Sequence, residues 1–162
     1  MNTGPIILIE ATDDHFAWML GEAGGPNGLS LPPHGVDDPA TLAMLRAMAA
    51  SQRARRQRGT WLIVASSEVV GLCGFKDLPG HGSVEIGFGI ARSCRGRGHA
   101  TQALARLLVE AAANPEIDEV TAQTAIGNGA SQRVLQNNGF VIAGTRSDPE
   151  DGELITWRRP AR

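Results

Sequence analysis

Short apolar runs with the period of a β-strand alternate along the chain with longer segments in which apolar residues recur at helical spacing. The strand pattern predicts seven strands, at residues 6–10, 61–65, 69–76, 83–91, 119–125, 140–144 and 154–157. The helical pattern predicts four helices, at residues 13–22, from Pro39 to the arginines before Gly59, at residues 100–113 and at residues 128–138. Residues 23–37 are rich in Gly and Pro, which predicts a long loop.

The order of these elements, β-α-α-β-β-β-α-β-α-β-β, predicts a single domain of the α+β class (a mixed α/β fold) over residues 1–162. We expect a mixed central sheet of about six to seven strands, flanked by about four helices. The β-α-β unit in the middle of the chain is expected to be parallel, because a helix connects its two strands.

The fourth strand segment, residues 83–91, has two different faces. Its even-numbered positions from 84 to 90 are apolar, whereas the odd-numbered positions include Glu85, Gly87 and Gly89. Glycine inside a strand often marks a bulge, so we expect a β-bulge at Gly87 and Gly89.

The composition excludes several classes of protein. The chain has 162 residues, a formal net charge of -2 and a pI of about 6.1, so we expect no nucleic-acid partner, which would favour a strongly basic surface. No apolar run approaches the roughly 18 residues of a membrane span, so no membrane partner is expected. The first residues lack the positive segment of a signal peptide, and the two cysteines form no disulfide framework. Both observations predict a cytoplasmic protein.

Metal sites and P-loop nucleotide sites are not expected. The four histidines are scattered and match no paired ligand spacing, so we predict no bound metal. Lys76 is the only lysine and follows no P-loop glycine pattern, which excludes a Walker-type nucleotide site.

The most informative segment lies between the fourth strand and the third helix. Its sequence is Arg92-Ser93-Cys94-Arg95-Gly96-Arg97-Gly98-His99-Ala100-Thr101. Glycines let a ligand approach the backbone, and the first N–H groups of a helix have no partner inside the helix. Such a helix start binds phosphate, and the three arginines add positive charge. The segment therefore predicts a pyrophosphate site.

The spacing within this segment resembles the acetyl-CoA signature of the GNAT N-acetyltransferase superfamily. That signature has Gln or Arg, two residues, Gly, one residue, then Gly or Ala, and Arg95, Gly98 and Ala100 match it. A dinucleotide-binding pattern would need a third glycine where Thr101 stands. Downstream, residues 128–140 contain Asn-x-x-Ser, Val-Leu and Gly-Phe, which is similar to the second CoA-side motif of the branch of ribosomal-protein N-terminal acetyltransferases (RimJ/RimL-like).

The resemblance implies acetyl-CoA as the cosubstrate and indicates which residues bind it. In the superfamily, the loop before the third helix holds the CoA pyrophosphate, and the central strand holds the thioester and the pantetheine arm through its backbone. The residues implied for cofactor binding are Phe88, Gly89, Ile90, Arg95, Gly96, Arg97, Gly98, His99, Ala100, Thr101, Asn128 and Ser131. For Asn128, the N-cap of a helix is an equal alternative.

Two residues are candidates for catalysis. Glu85 is the candidate base that takes a proton from the attacking amine through a water, and a salt-bridged or solvent-facing glutamate is the alternative. Ser131 is the candidate acid for the leaving thiolate by resemblance, and a partly exposed first-turn serine is the alternative. Many superfamily members use a tyrosine as this acid, but the chain contains no tyrosine.

The expected reaction is acetyl transfer to a primary amine, of a small molecule or a peptide N-terminus, by direct attack in a ternary complex. The resemblance implies an acceptor site between residues 20–40 and the last hairpin, residues 144–154. The acidic turn of that hairpin would favour a cationic acceptor such as a peptide N-terminus or a polyamine, and a solvated turn is the alternative. A non-catalytic acyl-CoA-binding sensor on the same fold is the competing hypothesis, and a homodimer is implied by the resemblance alone.

Overall fold

The computed structural model describes residues 4–77 and 81–162, and the described residues form one seven-stranded sheet with four α-helices. The strands are β1 (Ile6–Glu10), β2 (Thr60–Ala65), β3 (Glu68–Phe75), β4 (Ser83–Ile90), β5 (Glu119–Ala125), β6 (Val141–Asp148) and β7 (Gly152–Pro160). The helices are α1 (Asp13–Met19), α2 (Pro39–Ala54), α3 (His99–Ala113) and α4 (Gly129–Asn137), and a single 3₁₀ turn covers Arg92–Cys94. The predicted mixed fold is confirmed.

The sheet has the strand order β1-β2-β3-β4-β5-β7-β6. All neighbouring strands are antiparallel except β4 and β5, which are parallel and connected through α3. The predicted parallel β-α-β unit is therefore confirmed.

Local capping explains where the helices begin. Asp38 accepts a hydrogen bond from the N–H of Thr41 at 2.8 Å, and Pro39 occupies the first position of α2, where its missing N–H costs nothing. The first helix ends at Met19 rather than at residue 22 as predicted, because Gly21 turns the chain into the left-handed region with a φ of +77°.

The last two strands are longer than the predicted segments 140–144 and 154–157. They extend to a tight turn between Asp148 and Gly152. Most side chains of β6 are exposed because it is an edge strand. The polar end of β6 therefore lacks the alternation of apolar and polar residues from which a strand is predicted.

The core has two layers, one on each face of the sheet. Leu104, Leu107 and the even-numbered apolar residues of β4 pack between the sheet and α3. Phe16 and Leu42 pack between the other face and helices α1 and α2. The odd-numbered positions of β4 therefore face the α2 side. Among the described residues, no helix is long and apolar enough to cross a membrane.

The predicted bulge at Gly87 and Gly89 is wrong. The register of β3 with β4 is continuous from the Gly71–Ile90 pair to the Phe75–Ile86 pair. The irregular positions lie elsewhere in the sheet, at 63–64 and 142–144. Between β3 and β4, the glycine that leaves no room for a side chain is Gly71. A Cβ at this position would lie 2.2 Å from the carbonyl oxygen of Gly89.

Gly71→Ala is expected to lower the free energy of unfolding by about 1–3 kcal/mol, because the backbone of β3 or β4 must move to admit the methyl group. Gly89→Ala is the matched control, since a Cβ at Gly89 meets nothing within 4 Å. Urea denaturation followed by circular dichroism measures both. Equal losses of stability would show that the close approach at Gly71 is not a constraint.

Candidate active site

Strands β4 and β5 separate in the middle of the sheet. They pair only from Ser83 to Glu85, although β4 continues to Ile90 and β5 to Ala125. Beyond that point β4 remains paired with β3, and β5 remains paired with β7. A gap therefore opens between two halves of the sheet that are each hydrogen-bonded on their outer side.

The hydrogen bonds between β3 and β4 determine which backbone groups face this gap. The N–H of Lys76 donates to the C=O of Glu85 at 2.7 Å, so the backbone groups of the odd-numbered residues of β4 point toward β3. Backbone direction alternates along a strand, so those of Phe88 and Ile90 point into the gap. The C=O of Ile90 accepts from Nε of Arg95 at 3.0 Å. Phe88 therefore presents both its backbone donor and its acceptor to the gap.

The loop at residues 95–98 leads from the gap to the start of α3. Gly96 and Gly98 have left-handed φ values of +79° and +78°, and Gly98 is the N-cap of the helix. A Cβ would meet nothing within 4 Å at either glycine, so the space beside the backbone is open. No side chain caps α3, and its first N–H groups have no partner within the helix. The loop thus combines free donors with the positive end of a helix dipole.

The charge of this loop comes from its arginines and not from its histidine. Arg95 is held by the C=O of Ile90, and Arg97 donates to the C=O of Ser93 at 3.4 Å. His99 is buried, and burial, together with the positive charge of Arg97, lowers the pKa of its imidazole. The His99 ring is therefore neutral at neutral pH.

Both cysteines are buried thiols. Burial raises the pKa of Cys94, whose Sγ lies 3.6 Å from Oε1 of Glu68, and raises the pKa of Cys73 to about 12. Both side chains are therefore protonated and poor nucleophiles. Within residues 4–77 and 81–162, no three His, Cys, Asp or Glu side chains are grouped to hold a metal ion.

The N-terminus of α4 lies on the other side of the gap. Asn128 is its N-cap, and its Oδ1 accepts from the N–H of Ser131 at 3.1 Å. The Nδ2 group of Asn138 ties α4 to α3 by donating to the C=O of Thr101 at 3.2 Å. This bond fixes the C-terminal end of α4 against the first turn of α3.

A cavity of about 510 Å³, the loop cavity, lies between this loop, the end of β4 and α4. It brings together all the residues predicted for cofactor binding except Arg97, as well as the candidate acid Ser131. The sequence prediction missed five lining residues, which are Cys94, Ala130, Arg133, Val134 and Asn137. Four of them, those on α4, recur at helical spacing from position 130, which is the signal that could have revealed them.

Glu85 lies away from this group, on the α2 face of the sheet. Its Oε1 accepts from Nε2 of Gln123 at 3.0 Å, and its Oε2 forms an ion pair with Nζ of Lys76 at 3.2 Å. The side chain retains 25% of its exposure. These contacts are those of a salt-bridged glutamate, which was the alternative to a catalytic base. Glu85 does not line the loop cavity, so the structure does not bring it together with Ser131.

A second cavity, the α2 cavity, has a volume of about 450 Å³ and lies between α2, β3 and β4. It shares Phe88 and Gly89 with the loop cavity, so the two cavities are adjacent at β4, where the sheet opens. Its lining residues come from positions 36–48, 60, 72–76 and 87–89, and the hairpin at 144–154 contributes none of them.

The acidic turn of that hairpin has an internal structural role. Oδ1 of Asp148 accepts from the N–H groups of Glu150 and Asp151 at 2.8 and 2.9 Å, and these bonds lower the pKa of its carboxyl group. Asp148 also pairs with Arg146, and the hydroxyl of Ser147 donates to Glu153. Part of the negative charge of this turn is therefore already compensated within the hairpin, by Arg146 and by hydrogen-bond donors.

Comparison with known families gives a match that covers most of the chain. The model of the acetyltransferase (GNAT) domain matches residues 6–141. A curated relative, the uncharacterized N-acetyltransferase YjdG of Bacillus subtilis (strain 168), is 33% identical over 86 residues, which are 51% of this chain and 51% of the relative. The matched part of the chain thus spans about half the length of that curated relative.

Solved structures share the fold of this chain over nearly its whole length. RimL, the ribosomal L7/L12 alpha-N-protein acetyltransferase, in complex with coenzyme A has a TM-score of 0.71 and 21% identity, covering 98% of this chain and 95% of its own. RimJ of Mycobacterium smegmatis with CoA-disulfide has a TM-score of 0.72 and 21% identity, covering 98% and 83%. The microcin C7 self-immunity acetyltransferase MccE, with acetyl-CoA and AMP, has a TM-score of 0.72 and 14% identity, covering 98% and 93%. At these identities the likeness shows the fold alone.

Proposed function

This chain belongs to the GNAT acetyltransferase family, and we propose that it transfers an acetyl group from acetyl-CoA to a primary amine. The observation that supports the proposal best is that two adjacent cavities are both lined by Phe88 and Gly89, where β4 has separated from β5. A donor in the loop cavity and an amine in the α2 cavity reach each other there without a covalent enzyme intermediate. The proposed mechanism is therefore direct attack within a ternary complex.

The loop cavity fits the chemical groups of CoA. The open backbone at Gly96 and Gly98 and the uncapped start of α3 suit a pyrophosphate, and Arg95 and Arg97 supply positive charge. The Nδ2 group of Asn128 has no partner among the described residues, so it is available to an amide carbonyl of the pantetheine arm. When bound, acetyl-CoA supplies an activated acyl group as a thioester.

The backbone of β4 supplies the electrostatic part of the proposed mechanism. The N–H of Phe88 points into the gap, and in the proposed mechanism it donates to the acetyl oxygen, on which negative charge develops during attack. This donor is fixed by the pairing of β4 with β3, so it needs no reorganisation during the reaction.

Glu85 and Ser131 complete the proposal as base and acid. Glu85 lies three residues before Phe88, a distance of roughly 10 Å along a strand, so it acts on the amine through water. The half-buried Ser131 lies in the first turn of α4 with its hydroxyl group unpartnered among the described residues, and the helix dipole there stabilises a thiolate.

The direct test combines calorimetry with an assay of free thiol release. We expect the purified protein to bind acetyl-CoA and to release CoA thiol only when a primary amine is present. The panel contains short peptides and small-molecule amines, because both acceptor classes are proposed. Binding without release from any amine would favour the sensor hypothesis, and absence of binding would contradict both.

Gly98→Val is expected to weaken acetyl-CoA binding by about tenfold or more, because the side chain would occupy the open space next to the helix start. The variant also strains a left-handed backbone, so Gly28→Val is the matched control. Gly28 has a φ of +88° and open surroundings but lies outside both cavities. Calorimetric affinities compare the two variants, and equal affinities would exclude a role of this loop in binding.

Glu85→Gln is expected to lower kcat at neutral pH by about 100-fold or more without changing the affinity for acetyl-CoA, because the amide cannot accept the proton. Lys76→Met is the control, since it breaks the same ion pair but keeps the carboxylate. Lys76 also lines the α2 cavity, so kcat is compared at saturating amine, where weaker acceptor binding has no effect. A wild-type kcat for Glu85→Gln, or an equal loss in Lys76→Met, would assign Glu85 a structural role.

A further inference from the structure

The α2 cavity has an apolar wall and a floor without side chains. The wall is formed by Val36, Met44, Leu45, Met48 and Leu72. The floor is the surface of β3 and β4 at Gly74, Gly87 and Gly89, where Gly74 pairs with Gly87 and Gly89 pairs with Leu72. Because neighbouring floor positions lack side chains, space remains under α2. A volume of about 450 Å³ lies within the range of ligand pockets, about 300–1,000 Å³.

The cavity offers little to a second charged group. Its charged lining residues among those described are Asp37 and Lys76. The Nζ of Lys76 is engaged by Glu85, and Oδ1 of Asp37 accepts from the N–H of Asp38 at 2.8 Å. Asp37 and Lys76 are both exposed, so they lie where solvent reaches the cavity and not at the apolar wall. Burying an unpaired charge against that wall is costly, so the inner part of the cavity disfavours the second charged group of a diamine or an acid.

Gly89 is the floor position that packing does not explain. Gly71 and Gly74 are required by backbone carbonyl oxygens 2.2 Å from a built Cβ, whereas a Cβ at Gly89 meets nothing and its φ is not left-handed. A side chain at Gly89 would instead project into the α2 cavity, next to Phe88, the other residue that lines both cavities. The missing side chain therefore leaves space at the point where the two cavities lie closest.

We propose that the α2 cavity binds a compact apolar group of the acceptor, and that Gly89 keeps open the passage through which the acceptor's amine reaches the thioester. The acceptor is accordingly a primary amine with an aromatic or branched aliphatic group, free or at the N-terminus of a peptide. This inference rests on the proposed acetyl transfer. The apolar environment also favours the neutral form of the amine, which is the form that attacks.

The first test detects binding without turnover. The chain has four methionines. Met44 and Met48 line the cavity, whereas Met19 is buried in the same apolar cluster as the wall residues Val36 and Leu72 but does not itself line the cavity. In protein labelled with ¹³C at the methionine methyl groups, 2-phenylethylamine is expected to shift the Met44 and Met48 signals but not that of Met19. The polar amine 1,4-diaminobutane is expected to shift none of them at the same concentration.

The second test measures selectivity. With acetyl-CoA, kcat/KM for 2-phenylethylamine is expected to exceed that for 1,4-diaminobutane by about tenfold or more. Met44→Glu should reduce this preference at least about fivefold, because it places a carboxylate at the wall. Met44 is 57% exposed, so the change does not threaten folding. Val109→Glu, at a 66% exposed position of α3 outside both cavities, is the matched control and should leave the preference unchanged.

The outcomes separate this inference from the proposed function. Thiol release without movement of the Met44 and Met48 signals, or with a preference for 1,4-diaminobutane, would overturn the apolar acceptor and leave the transferase intact. Shifted methionine signals without thiol release from any amine would overturn the transferase and retain an apolar amine site. An equal effect of Met44→Glu and Val109→Glu on selectivity would also overturn the inference. Gly89→Val should lower turnover of both amines about tenfold, and full activity would exclude the passage.

Discussion

The separation of β4 from β5 is the constraint on which the rest of the site depends. Backbone donors and acceptors inside a sheet need partners, and beyond Glu85 those of Phe88 face a gap instead of a neighbouring strand. The sheet tolerates this opening because β3 and β7 hold the two halves on their outer sides. The elements with free donors and open backbone, the loop at 95–98 and the start of α4, lie around the same gap.

One ion pair and one hydrogen bond connect three strands at the point where the gap begins. Glu85 on β4 is paired with Lys76, directly after β3, and with Gln123 on β5. Gln123 is two residues beyond Thr121, the last position at which β5 pairs with β4. The side chains thus continue the connection between β4 and β5 where their backbones have parted. The candidate base is consequently held in place by the same contacts that close the narrow end of the gap.

The glycines of the sheet and those of the loop at residues 95–98 are present for different physical reasons. Gly71 and Gly74 allow close approach of backbone, and Gly96 and Gly98 adopt left-handed conformations that other residues avoid. Neither reason applies to Gly89, which has room for a Cβ and no left-handed φ. Its missing side chain leaves open space between the two cavities. Gly71, Gly74, Gly96 and Gly98 are therefore needed for the backbone conformation, whereas Gly89 is needed only for the proposed reaction.

The elements and their order could be predicted from the amino-acid sequence, because each depends on short-range features. Examples are the Asp38-Pro39 helix start, the period-2 pattern of β4 and the glycines before α3. The family resemblance added most of the residues that line the loop cavity, but five lining residues were missed. The sequence pattern misplaced the bulge and the ends of β6 and β7, which depend on cross-strand packing and edge exposure. The folded structure was needed to show where β4 and β5 part, that Lys76 and Gln123 hold Glu85, and that α2 covers a floor of glycines. These features arise between segments far apart in the chain, so no local pattern encodes them.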